Sequence, residues 1–182
     1  HFGDCHYLEG NVQADKKIRF ARKLLEFSGI GEERLHLAWV SSAEAQRFVD
    51  IVKTVTESIT GQGPFDPGAY PLALKATEMT LDSEVVRWLA GKEVRITRRG
   101  DVYGRSWETE RLEKVMDDVL EREYQKNLIY LAIGEGAVSV REISAATGLA
   151  LMRVSYLLTD LEKTNRVEFK GMHDRKPVFG VL

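Results

Sequence analysis

The first eleven residues bring together side chains that bind metals or act as nucleophiles. His1, Asp4, Cys5, His6 and Glu9 all lie within this short segment. A thiolate is both a soft-metal ligand and a nucleophile, and a neighbouring imidazole such as His6 can take its proton. No acid or amide is positioned to complete a nucleophilic triad, and the spacing of the three His and Cys side chains is not that of a structural zinc site. The alternative is an inert Cys5 that packs as a small apolar residue.

The elements that follow would have to position this segment. Apolar residues at helical spacing predict an amphipathic helix over Ala14–Ser28, with Gly29 as its left-handed cap. A short apolar run, Leu35–Val40, predicts a strand, and Ala43–Thr60 predicts a second helix. This helix–strand–helix order indicates an α/β layer domain. Because one strand cannot form a sheet, and because the chain begins at His1, we expect the domain to be incomplete, with its other strands upstream.

A cluster of Gly and Pro at Gly61–Gly68 predicts a boundary, which gives a first domain over residues 1–67. Residues 68–110 are expected to form a helical and irregular connection, with helices over 72–80 and 82–89. Within the same region, Val94–Thr97 alternates in polarity like a strand.

Residues 111–182 are expected to form a winged helix-turn-helix domain. The pattern predicts a long helix that begins at Glu108, a short strand, two helices separated by Gly148, and a hairpin. The predicted ranges are 108–133, 137–140, 141–147, 149–163, 166–170 and 177–181. The fold class predicted overall is therefore an α/β fragment followed by a winged helix.

Charge and composition exclude several classes of protein. The chain has 182 residues, 26 basic and 28 acidic side chains, and a net charge of −2, and no segment shows the basic excess typical of nucleic-acid binding. No apolar run is long enough to span a membrane. With a single Cys, the chain forms no internal disulfide, which favours the reducing cytoplasm. The candidates for docking a partner are Arg95, Arg98, Arg99, Arg153 and Lys163.

The run Gly3-Asp4-Cys5-His6-Tyr7, followed by Gly10-Asn11, a basic amphipathic helix and the segment Gly29–Leu35, resembles a known family. It is similar to the delta, iron–sulfur subunit of methyl-viologen-reducing hydrogenase. The similarity covers about residues 1–62 and would correspond to the C-terminal half of that domain.

The resemblance implies an electron-transfer subunit without catalytic residues of its own. Such a subunit carries a 2Fe–2S cluster and passes electrons between a hydrogenase or formate dehydrogenase and the flavin-containing A subunit of heterodisulfide reductase. Cys5 would be one of the ligands to iron, and Gly3 and Gly10 would let the backbone approach closely. A cluster takes about four ligands, usually thiolates, so residues 1–182 alone are not expected to assemble it, and the other ligands are expected upstream of His1.

A second hypothesis comes from the C-terminal region. In it the protein is a winged-helix transcription regulator, the region around Cys5 senses redox state or a metal, and residues 149–163 form the recognition helix. The low density of basic side chains on that helix makes nucleic acid an unfavourable partner.

Overall fold

The computed structural model describes residues 5–7 and 9–182, with the side chain of Arg99 left out. This part of the chain is mostly helical and has one two-stranded antiparallel sheet. The helices are α1 (Gly10–Phe27), α2 (Ala45–Gly61), α3 (Pro71–Asp82), α4 (Glu84–Arg99), α5 (Thr109–Gly134), α6 (Val140–Thr147) and α7 (Leu151–Lys163). The strands are β1 (Val167–His173) and β2 (Lys176–Val181).

The first hydrophobic core is built around α1. This helix buries Val12, Phe20 and Leu24 and leaves its cationic side chains towards the surface or towards neighbouring acids. Ser28 closes it, and Gly29 follows with a φ of +73°, the left-handed conformation expected from the sequence. α1 packs on α4 and α5, and α3 packs on α5. The buried members of this core are Phe20, Leu24, Ala76, Val86, Leu112, Met116, Leu120, Tyr124 and Leu128. It therefore combines side chains from both sides of Gly61–Gly68.

The second core lies at the other end of α5. This helix has 26 residues, which at 1.5 Å per residue makes it about 39 Å long, so its ends reach two different cores. Ile129 and Ile133 lie beyond the first core along α5 and pack with side chains of α6, α7 and β1. The partners are Ile143, Val154, Leu157, Leu158, Leu161 and Val167.

The hairpin covers this second core from one side. Its register pairs Val167 with Val181 and slips by one residue between Phe169 and Gly171, where Gly171 has a φ of +127°. Ser139 forms an isolated antiparallel bridge with Val178, at the point where the sequence predicts a short strand. Ser139 also caps α6 in a reciprocal arrangement with Glu142.

Two stretches with strand-like sequence do not form a strand among the described residues. Val94–Thr97 lies inside α4, because Val94 is buried and Ile96 half-buried on the inner side of a helix that Gly91 does not interrupt. Leu35–Val40 has extended backbone at Leu35, but no described strand pairs with it. Instead, the side chain of Arg22 donates to the carbonyl oxygen of Leu35 at 2.9 Å. The α/β layer expected for this region is therefore not formed by the described residues.

The helix α2 makes few contacts with the rest of the described chain. Its main neighbour is the short 3-10 turn at Glu32–Arg34. Of its predicted apolar stripe, Phe48 and Val52 are exposed, and Ile51, Val55 and Ile59 are half-buried. An amphipathic pattern predicted this helix correctly, but the described residues do not cover its apolar face.

Candidate functional site

Cys5 lies just before the first residue of α1, and its side chain is half-buried. A Cβ placed on Gly10 would come within 2.7 Å of the Cys5 Sγ. Any side chain at position 10 would therefore force the thiol to move. The glycine that begins α1 is what allows the sulfur to lie against the start of the helix.

The two residues that follow Cys5 are both exposed. The His6 ring meets that of Tyr7 edge-on, with the centroids 5.3 Å apart. The half-buried thiol is therefore followed by two exposed rings at the start of α1.

Among the described residues, Cys5 is the one thiol that an iron–sulfur cluster could take as a ligand. Within residues 5–7 and 9–182, no group of three or more His, Cys, Asp or Glu side chains is placed to hold a metal ion. His1, Gly3 and Asp4 of the motif lie outside the described residues. Since a cluster takes about four ligands and Cys5 is the only Cys in the sequence, the donor set of this chain does not fit a whole cluster.

A layer of charged side chains on α1 connects it to α4 and α5. Lys16 Nζ lies 3.1 Å from Glu93 Oε1, and Arg19 Nη2 lies 3.6 Å from the same oxygen. Glu93 has no exposed surface. Lys16 also pairs with Glu113 at 2.5 Å, and Arg19 pairs with Asp117. The helix that follows Cys5 is thus held by ion pairs as well as by the first core.

Two of the docking candidates predicted on α4 are exposed. Arg95 and Arg98 are both exposed, and Arg87 joins them on the outer face of the helix. Arg99 is the last residue of α4. Trp88 was not among the predicted candidates, since tryptophans are more often buried, but it is 56% exposed beside these arginines.

The docking candidates predicted on α7 differ from each other. Lys163 is exposed at the last residue of the helix. Arg153, expected to face outwards, is half-buried: its Nε donates to Gln125 Oε1 at 2.6 Å, and its guanidinium lies 5.9 Å from the centre of the Tyr156 ring. One of its donors is therefore used in a contact with α5. Of the large apolar side chains on α7, Met152 is the most exposed, at 87%.

These features define a helical protein with a single thiol at a helix N-terminus. Comparison with protein families identifies this end of the chain: residues 1–63 match the family described as methyl-viologen-reducing hydrogenase, delta subunit. The resemblance expected from the Cys5 motif is confirmed for this region.

Individual relatives agree with the family match. The iron–sulfur D subunit of an F420-non-reducing hydrogenase from Archaeoglobus profundus is 40% identical over 65 residues, 36% of this chain and 47% of that protein. The vhu iron–sulfur D subunit of an F420-non-reducing hydrogenase from Methanocaldococcus jannaschii is 40% identical over 62 residues, 34% of this chain and 46% of that protein. The matched segment thus spans about half the length of these relatives.

A relative of another kind also matches part of this chain. The A subunit of a ferredoxin- or F420H2-dependent CoB-CoM heterodisulfide reductase from Methanosarcina acetivorans is 30% identical over 61 residues, which make up 34% of this chain but 8% of that protein. None of the solved structures matches the chain. Among the described helices, none has the length and apolar character needed to cross a bilayer.

Proposed function

We propose that this protein is an electron-transfer subunit that passes electrons from a hydrogenase or formate dehydrogenase to a flavin subunit of the heterodisulfide-reductase type. The observation that carries the proposal is that two different kinds of protein match part of this chain. Residues of this chain match both separate hydrogenase iron–sulfur subunits and a short part of a heterodisulfide reductase. A segment present in both the donor and the acceptor of one electron path is suited to connect these two proteins.

In this proposal Cys5 ligates one iron of a 2Fe–2S cluster. A bound cluster of this type supplies one-electron transfer, so two electrons from a donor pass in two steps. The protein holds the Cys5 thiolate at the start of α1, where Gly10 leaves room for the sulfur. The remaining ligands must come from outside residues 1–182, because this sequence has no second cysteine.

We further propose that residues 111–182 form a winged helix that serves as a docking module. The order α5, bridge at Ser139, α6, α7 and hairpin supports this assignment. The outer face of α7 supports docking to protein rather than DNA: Met152 and Tyr156 are exposed there, while Arg153 is bonded to Gln125.

The test is an electron-transfer assay on the native gene product, purified without oxygen. It is mixed with a heterodisulfide-reductase-A-type flavin subunit, a hydrogenase and hydrogen gas, and flavin reduction is followed by its absorbance. The proposal expects flavin bleaching that depends on this protein. Bleaching at the same rate without it would contradict the proposed function.

A further inference from the structure

The outer face of α4 carries an arginine-rich stripe that the proposed function does not use. Arg87, Trp88, Gly91, Arg95 and Arg98 are all exposed. Arg87, Gly91, Arg95 and Arg98 follow one another at intervals of three or four residues, and Trp88 is adjacent to Arg87. All five therefore share one side of the helix over about 16 Å. We call these five residues the α4 stripe.

The charges of the α4 stripe are not used inside the molecule. Arg87 lies 3.7 Å from Asp82, and both side chains are largely exposed. Neither Arg95 nor Arg98 forms an ion pair or hydrogen bond with any of the residues that the structure describes. Exposed arginines without partners are available for carboxylates, which their planar guanidinium groups bind through two parallel hydrogen bonds.

Gly91 lies in the middle of the α4 stripe. Glycine is unfavourable in the interior of a helix, by about 1 kcal/mol relative to alanine. A Cβ placed on Gly91 would meet no atom within 4 Å, so no contact with the described part of this chain requires a glycine. The missing side chain instead opens the middle of the stripe and lets another molecule approach the backbone of α4.

We infer that the α4 stripe is a docking surface for a carboxylate-rich surface of a partner protein. Tryptophan and arginine are the residues most often responsible for affinity at protein interfaces, and Trp88 lies among three arginines. Positive charge without internal partners is complementary to an acidic surface.

A protein partner fits this surface better than a nucleic acid. The chain has a net charge of −2, and Glu84 is exposed at the start of the same helix, next to the exposed Asp82. A duplex laid along α4 would bring its phosphates over these acids. The stripe itself would neutralise only about three phosphates, which gives weak binding at physiological salt.

The test uses two probes of defined chemistry, a 20-residue polyglutamate peptide and a 20-base-pair duplex of random sequence. Arg95→Glu/Arg98→Glu removes the charge of the stripe, and Lys53→Glu/Arg141→Glu makes the same change at exposed positions on α2 and α6. We expect the stripe variant to lose about tenfold or more of its affinity for polyglutamate and the control variant to lose less than twofold. Equal losses would overturn the inference, as would tighter binding of the duplex through the same arginines.

A glycine variant separates docking from folding. Gly91→Leu adds a good helix former where nothing in the described chain is in the way, so the helix content and melting temperature should be kept. Gly134→Leu is the control, since a Cβ at Gly134 also meets nothing. We expect Gly91→Leu, but not Gly134→Leu, to weaken binding of the polyglutamate probe about tenfold. Unchanged binding would count against close approach of a partner to the backbone at Gly91.

A third measurement tests binding of the heterodisulfide-reductase-A-type flavin subunit to the wild-type chain and to the stripe variants. This measurement rests on the proposed function. If that subunit binds the wild-type chain and the stripe variants equally well, the inference fails and the proposed function stands. If polyglutamate binding depends on the stripe but the flavin subunit does not bind, the proposed partner is wrong and the inference stands.

Discussion

Lys16 and Glu93 form a buried ion pair between α1 and α4, with 3.1 Å between Nζ and Oε1 and with no exposed surface on Glu93. The two partners are not equivalent. Lys16 has a second acid in Glu113, and Arg19 has one in Asp117. Glu93 has only the two cations of α1 as ion-pair partners among the described residues.

This asymmetry predicts unequal effects of mutation. Lys16→Met/Arg19→Met leaves the Glu93 carboxylate buried without a counter-charge and should lower the free energy of unfolding by about 3–5 kcal/mol. Glu93→Gln leaves both cations paired and should cost less, about 1–2 kcal/mol. Urea unfolding of the three proteins measures this. A larger loss of unfolding free energy for Glu93→Gln than for the double variant would contradict this prediction, because the cations would then depend on Glu93 more than Glu93 depends on them.

The same ion pairs predict a loss of stability at alkaline pH. Burial, the largest single influence, lowers the pKa of Lys16, but hydrogen bonds to Glu113 and Glu93 outweigh it and raise this pKa above the ordinary value of 10.5. A raised lysine pKa stabilises the folded state below about pH 10.5, and the contribution disappears as pH rises through the folded pKa. The free energy of unfolding should therefore fall more steeply above pH 10.5 in the wild type than in Lys16→Met. Parallel profiles would contradict this assignment.

A buried hydrogen-bond chain predicts coupling between the first core and the hairpin. Asn127 Nδ2 donates to Thr80 Oγ1 at 2.9 Å, and Arg166 Nη1 donates to Asn127 Oδ1 at 2.9 Å. Asn127→Ala should cost about 1–3 kcal/mol, because it leaves the partner atoms without this bond inside the protein. The control is Thr60→Ala, which removes a polar side chain at an exposed helical position. Thermal unfolding followed at both an α-helical and a tyrosine signal should stay cooperative in the wild type and separate in Asn127→Ala.

The winged-helix hypothesis predicts weak DNA binding. Arg153 is bonded to Gln125, so Lys163 is the exposed cation that α7 offers to phosphates. In the hairpin of β1 and β2, which is the wing of a winged helix, Lys170 pairs with Glu168. Non-specific affinity comes mainly from neutralised phosphates, so a dissociation constant near 10⁻⁴ M is expected at physiological salt. Anisotropy of a labelled random duplex at about 150 mM salt measures it. Submicromolar binding with a steep salt dependence would favour the transcription regulator instead.

The sequence predicted what depends on local patterns. The amphipathic spacing of α1 and the glycine after it located that helix to within a few residues, and Gly148 marked the turn between α6 and α7. These features are local because capping and helical spacing involve residues three or four apart.

What the sequence did not reveal depends on residues far apart in the chain. Glu93 follows Lys92, and nothing near it in the sequence predicts its burial, which cations on α1 more than seventy residues earlier make possible. Arg153 was expected to face outwards, and its partner Gln125 lies on another helix. The segment Leu35–Val40 has the composition of a strand, but strand formation also requires a neighbour, and no strand of the described residues pairs with it.

The central claim is that Cys5 ligates iron in an electron-transfer subunit. The most direct measurement is the iron content and the reducible visible spectrum of the native gene product, purified without oxygen, as wild type, Cys5→Ser and the control Ser42→Ala. We predict about two iron atoms per chain and a spectrum bleached by dithionite in the wild type and in Ser42→Ala, with both reduced in Cys5→Ser while the helical content is kept. Unchanged iron and an unchanged spectrum in Cys5→Ser would remove Cys5 from the ligands and contradict the account.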